Sequence, residues 1–304
     1  MDYEAAVDIF FAEPPPDVPT PEAVSSASPA RRLRDALEPI SMHAVWSPRT
    51  NAALAEHGFD FFPAYVCGRA APLGEVPSSV VAATFAVFEP NVIDGMWRER
   101  TRLGLAELIE IRDRETTASL RDVLSPVAGE AEVARAAETL ERVVERLDGA
   151  GRTLFSALRA QPRLSDPYGR LWRVTDLVRE HRGDSHIAAS IAADLDAVRM
   201  NILSELWLGY PLGEYSGTRA WPQEATDAAL ARLEADGHVV DGAITPEGRR
   251  FRDEIERATD VAQQAVVDAL GGELDGLVMQ LDAWSQVCVE AKAFPPDFRK
   301  RAAG

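Results

Sequence analysis

Leu233-Glu234-Ala235-Asp236-Gly237-His238-Val239-Val240-Asp241-Gly242-Ala243-Ile244-Thr245-Pro246-Glu247-Gly248-Arg249 is the stretch whose reading decides the fold. Leading into it, residues 222–236 put Ala225, Ala229, Leu230 and Leu233 on one helical face, and Gly237 stands where a helix stops. His238-Val239-Val240 and Ala243-Ile244 make two very short strands. Asp241-Gly242 between them is a type I′ hairpin signal, because both turn positions need positive φ. Thr245 follows as an N-cap with Pro246 at the first helical position, so another helix opens at once. The local order is helix, minimal hairpin, helix.

Upstream, the chain reads as helix after helix. Ser28-Pro29 and Ser47-Pro48 each set an N-cap before a proline at the first helical position. The first of these helices is expected to stop before Pro39. Residues 132–147 carry Val133, Ala137, Leu140, Val144 and Leu147 on one stripe. Alternating β-branched runs are missing, so the fold class is mainly α. Residues 1–28 combine Pro14, Pro15, Pro16, Pro19 and Pro21 with acidic side chains and read as a disordered tail. Within it, Val7-Asp8-Ile9-Phe10-Phe11 either docks on the body or stays a sticky segment. Downstream, residues 273–293 space Leu274, Leu277, Leu281, Trp284, Cys288 and Ala291 as a short heptad seam. The seam packs on the body or, alternatively, makes a homodimer. Residues 295–304 are a basic tail.

Composition narrows the function. A net charge of −17 over 304 residues repels nucleic acid and anionic membrane unless a local basic patch offsets it. The uncharged runs, such as residues 76–88, are too short to cross a bilayer. The acidic N-terminus lacks the basic start of a signal peptide. Cys67 and Cys288 have neither metal nor disulfide spacing. The expectation is a cytoplasmic protein with no membrane partner and no metal. HExxH, GxSxG, Walker and GxGxxG patterns are absent, so cofactor and reaction type stay unknown.

The candidate site rests on isolated charges and on histidines. Arg69 is the only charged residue from 61 to 74, and Glu38, with His43 nearby, the only one from 36 to 47. A charge among apolar neighbours needs a partner. Either Glu38 and Arg69 pair, or Arg69 grips a carboxylate or phosphate of a ligand. The second signal is Val178-Arg179-Glu180-His181-Arg182-Gly183-Asp184-Ser185-His186. A helix over 168–182 would face His181 inward with Val174, Leu177 and Val178. Gly183 would end that helix, and Asp184 would cap a second one beginning beside His186. Such a corner is either structural punctuation around a core histidine or a place where His181, Asp184 and His186 converge for acid–base chemistry. Arg69, Glu38, His43 and Arg182 would complete an anion-binding pocket.

The hairpin and the T-P-x-G-R helix start resemble the winged-helix module of bacterial regulators of the MarR type. The chain beyond residue 29 resembles an actinobacterial family with a winged-helix-like C-terminal half. That likeness is carried by Gly68-Arg69-Ala70-Ala71-Pro72-Leu73-Gly74, residues 180–186 and residues 233–249. It implies a helical domain over 29–165 and a winged-helix-like domain with a C-terminal helix over 166–294, and it implies no particular activity. Residues 222–236 would be the recognition helix, yet they hold Glu224, Asp227, Glu234 and Asp236 against Arg232. A groove-reading helix needs donors for bases and phosphates. The leading expectation is therefore a protein, or an enzyme, that binds a small anionic molecule at the junction of its halves. The alternative is a ligand-responsive winged-helix regulator that binds DNA.

Overall fold

The protein was analysed as a computed structural model, which describes residues 1–16, 18 and 28–302. Helices α1 to α5 span Tyr3–Phe10, Pro29–Ser41, His43–Trp46, Pro48–Ala55 and Phe61–Ala70. Helices α6 to α10 span Ser78–Phe85, Pro90–Arg98, Leu105–Leu124, Glu130–Val144 and Thr153–Arg159. Then come α11 (Pro167–Ala192), α12 (Ala197–Trp207) and α13 (Gln223–Ala235). Strands β1 (Val239–Val240) and β2 (Ala243–Ile244) are followed by α14 (Pro246–Val261), α15 (Gln264–Leu270), α16 (Leu274–Glu290) and α17 (Phe298–Ala302). The fold is mainly α, with one small hairpin.

The start signals act as read. Ser28, Ser47 and Thr245 each accept a hydrogen bond from the backbone N–H three residues on. Asp241 and Gly242 take φ of 49° and 73°, and Val239 pairs with Ile244 across the turn. Val239 is buried with Ile202, Leu206, Ala229 and Leu233, which closes the winged-helix core between α12, α13 and the hairpin. Pro39 does not end α2, which runs on to Ser41. Leu37 and Ile40 are fully buried, and their packing holds the last turn despite the missing N–H.

Helix α11 is the axis. Helices α2, α8, α9, α10 and α14 all pack against it. The largest core joins Leu33, Leu37 and Ile40 of α2 to Leu171, Trp172 and Val178 of α11. Leu277, Leu281 and Trp284 of α16 enter the same core. The heptad seam of α16 is therefore filled by α2 of its own chain, where Ser285 also donates to the Ala36 carbonyl (2.6 Å), and it is not free to form a dimer. A boundary at residue 165 would cut through this shared core.

The N-terminal tail needs correction as well. Tyr3–Phe10 is helical, capped by Asp2, and buries Ala6 and Phe10 against Phe61. Phe10 meets Trp46 edge-on at 5.4 Å. Aromatic burial offsets the ordering cost that the acidic, proline-rich composition could not. Residues 17 and 19–27 of the expected disordered tail lie outside the described residues. Among the described residues no helix is long and apolar enough to cross a membrane.

Candidate functional site

The expected corner at Gly183-Asp184 does not exist. Helix α11 runs unbroken through both residues. Asp184 does cap a helix, but a neighbouring one, because its Oδ2 accepts the Phe155 N–H in the first turn of α10 (3.1 Å). Burial pushes the Asp184 carboxyl up to about 6. An α-helix turns about 100° per residue, so side chains at 181, 184 and 186 leave it in different directions. His181 packs edge-on to Phe155, 4.9 Å between centroids, and its Nδ1 lies 3.0 Å from Gln263 Oε1. His186 Nδ1 lies 3.0 Å from Thr259 Oγ1 on α14. Burial lowers both imidazoles, His186 to about 3.

The solitary charges find partners on this helix. Arg69 donates to Glu180 through Nε (2.7 Å) and Nη2 (2.8 Å), a bidentate pair. Burial alone would raise the Glu180 carboxyl, but Arg69 and Arg179 outweigh it and hold it at about 2. The Glu38–Arg69 pair is not formed. Glu38 instead faces Arg34 (3.5 Å) and Arg179 (3.3 Å) through Oε1. Arg182 is ion-paired with Glu256 and with Asp260. His43 is fully buried with Nε2 2.9 Å from Ser119 Oγ, and burial lowers it to about 3. These pairs form a buried polar spine along α11, with each charge offset by an opposite one.

Of the expected site residues, Glu38 alone lines the open cleft beside this spine. That cleft has a volume of about 110 Å³. Its aromatic lining includes Phe10, Trp46, Phe61 and Phe294, which contact one another, and Tyr65, Phe88 and Tyr215. Glu38 and Arg179 add charge from the α2 and α11 side, and Arg219 and Lys300 add it from the C-terminal half. Glu38 is 2% exposed, and its Oε2 has no hydrogen-bond partner. The Arg219 guanidinium stacks on Phe88 and Tyr215, 4.7 and 4.4 Å from their centroids, and its Nε is buried without a partner. Lys300 Nζ sits 5.2 Å from the Phe10 ring centre and 5.8 Å from that of Tyr215. Burial lowers the Lys300 amine. Neither cation forms an ion pair among the described residues.

The loop that brings Tyr215 and Arg219 to the cleft is built on Glu205. This fully buried carboxylate of α12 accepts the N–H groups of Gly213 (2.8 Å), Tyr215 (3.0 Å) and Ser216 (2.7 Å), and the Ser216 hydroxyl (2.8 Å). Glu205, Tyr215, Arg219 and Lys300 went unnoticed in the sequence because nothing local isolates them. The chain has only two lysines, Lys292 and Lys300, among 32 basic residues, and that scarcity was the available signal.

The winged-helix part has the opposite character on its outer face. Glu224, Asp227 and Glu234 of α13 are exposed, and Arg232 is shared with Asp196 at 3.6 Å. The tip of the hairpin is Asp241-Gly242, without a cation. Among the described residues no group of His, Cys, Asp and Glu side chains has a metal-binding arrangement.

Comparison with known sequences agrees with the helix, hairpin, helix order. No curated protein and no solved structure gives a match. The pattern of a helix-turn-helix family matches residues 30–295, nearly the whole body from α2 to the end of α16. The chain belongs to this helix-turn-helix family.

Proposed function

We propose that the protein is a ligand-responsive regulator of the helix-turn-helix type, acting in the cytoplasm, whose aromatic cleft senses a small molecule. The observation that carries this reading is where the cleft gets its walls. Tyr215, Thr218 and Arg219 reach it from the segment between α12 and α13, while Phe10, Glu38 and Trp46 reach it from the N-terminal helices. A ligand held there touches the support of the helix-turn-helix directly. It biases the position of α13 to the extent that it binds one arrangement better than another. Family membership and the MarR-type likeness of residues 233–249 support an output on DNA.

The test is a gel shift against the protein's own upstream region at low salt, with and without a cleft ligand. A specific, salt-sensitive shift that the ligand changes is the expected result. A specific charge pattern favours a second reading. The exposed acidic face of α13 repels a polyanion, and on this reading the winged helix serves only to enclose ligand in a small-molecule-binding protein. Ligand binding without any DNA shift selects that reading and overturns the first.

A further inference from the structure

The sensing reading leaves open what the cleft takes, and four features of its lining specify a chemical class. The walls are aromatic. The volume of about 110 Å³ belongs with cavities that admit one ring, for which roughly 150 Å³ is a useful scale. Two cations, Arg219 and Lys300, approach the same Tyr215 ring. Arg219 donates to the Tyr215 hydroxyl, Lys300 feels Asp297 and Glu214 through space, and among the described residues neither forms an ion pair. Of the two carboxylates that act on Lys300, Asp297 is ion-paired with Arg299 (2.8 Å) and accepts from the Tyr210 hydroxyl (3.1 Å). From the other half of the chain comes Glu38, whose Oε1 faces Arg34 and Arg179 while its buried Oε2 accepts no hydrogen bond. A buried polar atom without a partner is costly, and Arg219 Nε and Glu38 Oε2 are two such atoms on residues that line the cleft.

We propose that the cleft binds a single-ring aromatic acid that also carries an amino group. Its carboxylate lies at Arg219 and Lys300, its ring lies among the aromatic side chains, and its N–H donor reaches Glu38 Oε2. Forked and point cations together suit a carboxylate. A ring-rich lining suits a planar aromatic molecule, with stacking or edge contacts in addition to burial. The carboxylate at Glu38 discriminates against acids that lack a donor, since such a ligand leaves Oε2 buried and unpaired.

The experiment is calorimetric titration of the full chain with three probes: 4-(aminomethyl)benzoate, benzoate and benzylamine. Tryptophan fluorescence, with Trp46→Phe to isolate the one of six tryptophans that lines the cleft, reports occupancy in parallel. The bipolar probe is expected to bind at least about tenfold more tightly than either single-ended probe, the scale of one charge-assisted hydrogen bond. Arg219→Gln and Lys300→Gln each weaken the two acids by about tenfold and leave benzylamine unchanged. Glu38→Gln removes the preference for the bipolar probe over benzoate. Should that variant fail to fold, 4-ethylbenzoate on the unaltered protein asks the same question, because it matches the bipolar probe in shape and lacks the donor. Equal binding of benzoate and the bipolar probe, indifference to both cation variants, or no binding at millimolar concentration overturns the proposal. Probe binding without a DNA shift keeps the ligand class and sinks the DNA output; a DNA shift without probe binding does the reverse.

Discussion

Replacing Arg69 separates the two roles that this isolated cation can have. In the structure it is a partner of Glu180, with both nitrogens within 2.8 Å and the two side chains 14% and 3% exposed. Arg69→Met keeps most of the volume and leaves Glu180 buried. Breaking a buried pair from one side costs about 3–5 kcal/mol. Arg179 still reaches Glu180 Oε1 at 2.8 Å and offsets part of the loss, so the lower end, about 3 kcal/mol, is expected. In a chain of 304 residues that lowers Tm by roughly 5 °C. The assay is thermal and urea unfolding of the single variant and of Arg69→Met combined with Glu180→Met. The double variant should regain at least half of the loss, because it removes the orphaned charge. A structural role for Arg69 is refuted if Arg69→Met melts like the unaltered protein yet loses its ligand, since Arg69 would then be the anion grip that the sequence suggested. Additive losses in the double variant would refute it as well.

Other consequences follow from the same geometry. His43 and His186 are held near 3 by burial against an ordinary 6.5, so the unfolded chain binds more protons between these values. Their contribution is intact above about 6.5 and is lost as pH falls toward 3, at roughly 1.4 kcal/mol per pH unit for each histidine. Melts at successive pH values should show this slope, and His186→Gln should reduce it by one histidine's share. Glu205→Ala leaves the N–H groups of Gly213, Tyr215 and Ser216 without their acceptor, at a cost of about 3 kcal/mol. It should also weaken probe binding in the cleft, read by calorimetry, because Tyr215 and Arg219 lose their support. Gly248→Ala would put a Cβ 2.1 Å from the His238 carbonyl oxygen, a backbone atom that cannot step aside. The expected cost is about 3 kcal/mol in urea unfolding, with faster hydrogen exchange across the hairpin. Leu281→Asp should unfold the chain and not merely change its oligomeric state in sedimentation, since Leu281 is fully buried within the chain's own core.

Gly248 shows how far a motif can be read without coordinates. The T-P-x-G-R pattern announces a capped helix start, and Thr245 caps as expected. The reason for glycine there is not a special φ but the close approach of the hairpin backbone, which no local pattern contains. The histidine cluster shows the opposite case. Gly183 followed by Asp184 has the composition of a helix end, yet the tertiary environment overrides a weak local preference. Side chains of α11 are buried on nearly every face, and continuing the helix keeps them there.

The sequence by itself determined the mainly helical class, the helix starts at Pro29, Pro48 and Pro246, and the hairpin at Asp241-Gly242. Those features depend on caps, turn conformations and periodicity, all of which act within a few residues. Only the tertiary structure decided that Arg69 pairs with Glu180, that Glu38 meets Arg179, and that Phe10, Glu38, Trp46, Tyr215, Arg219 and Lys300 share one cleft. Pairing of a buried charge is set by which opposite charge the packed helices bring within a few ångströms in a medium that screens weakly, and sequence distance does not enter that balance.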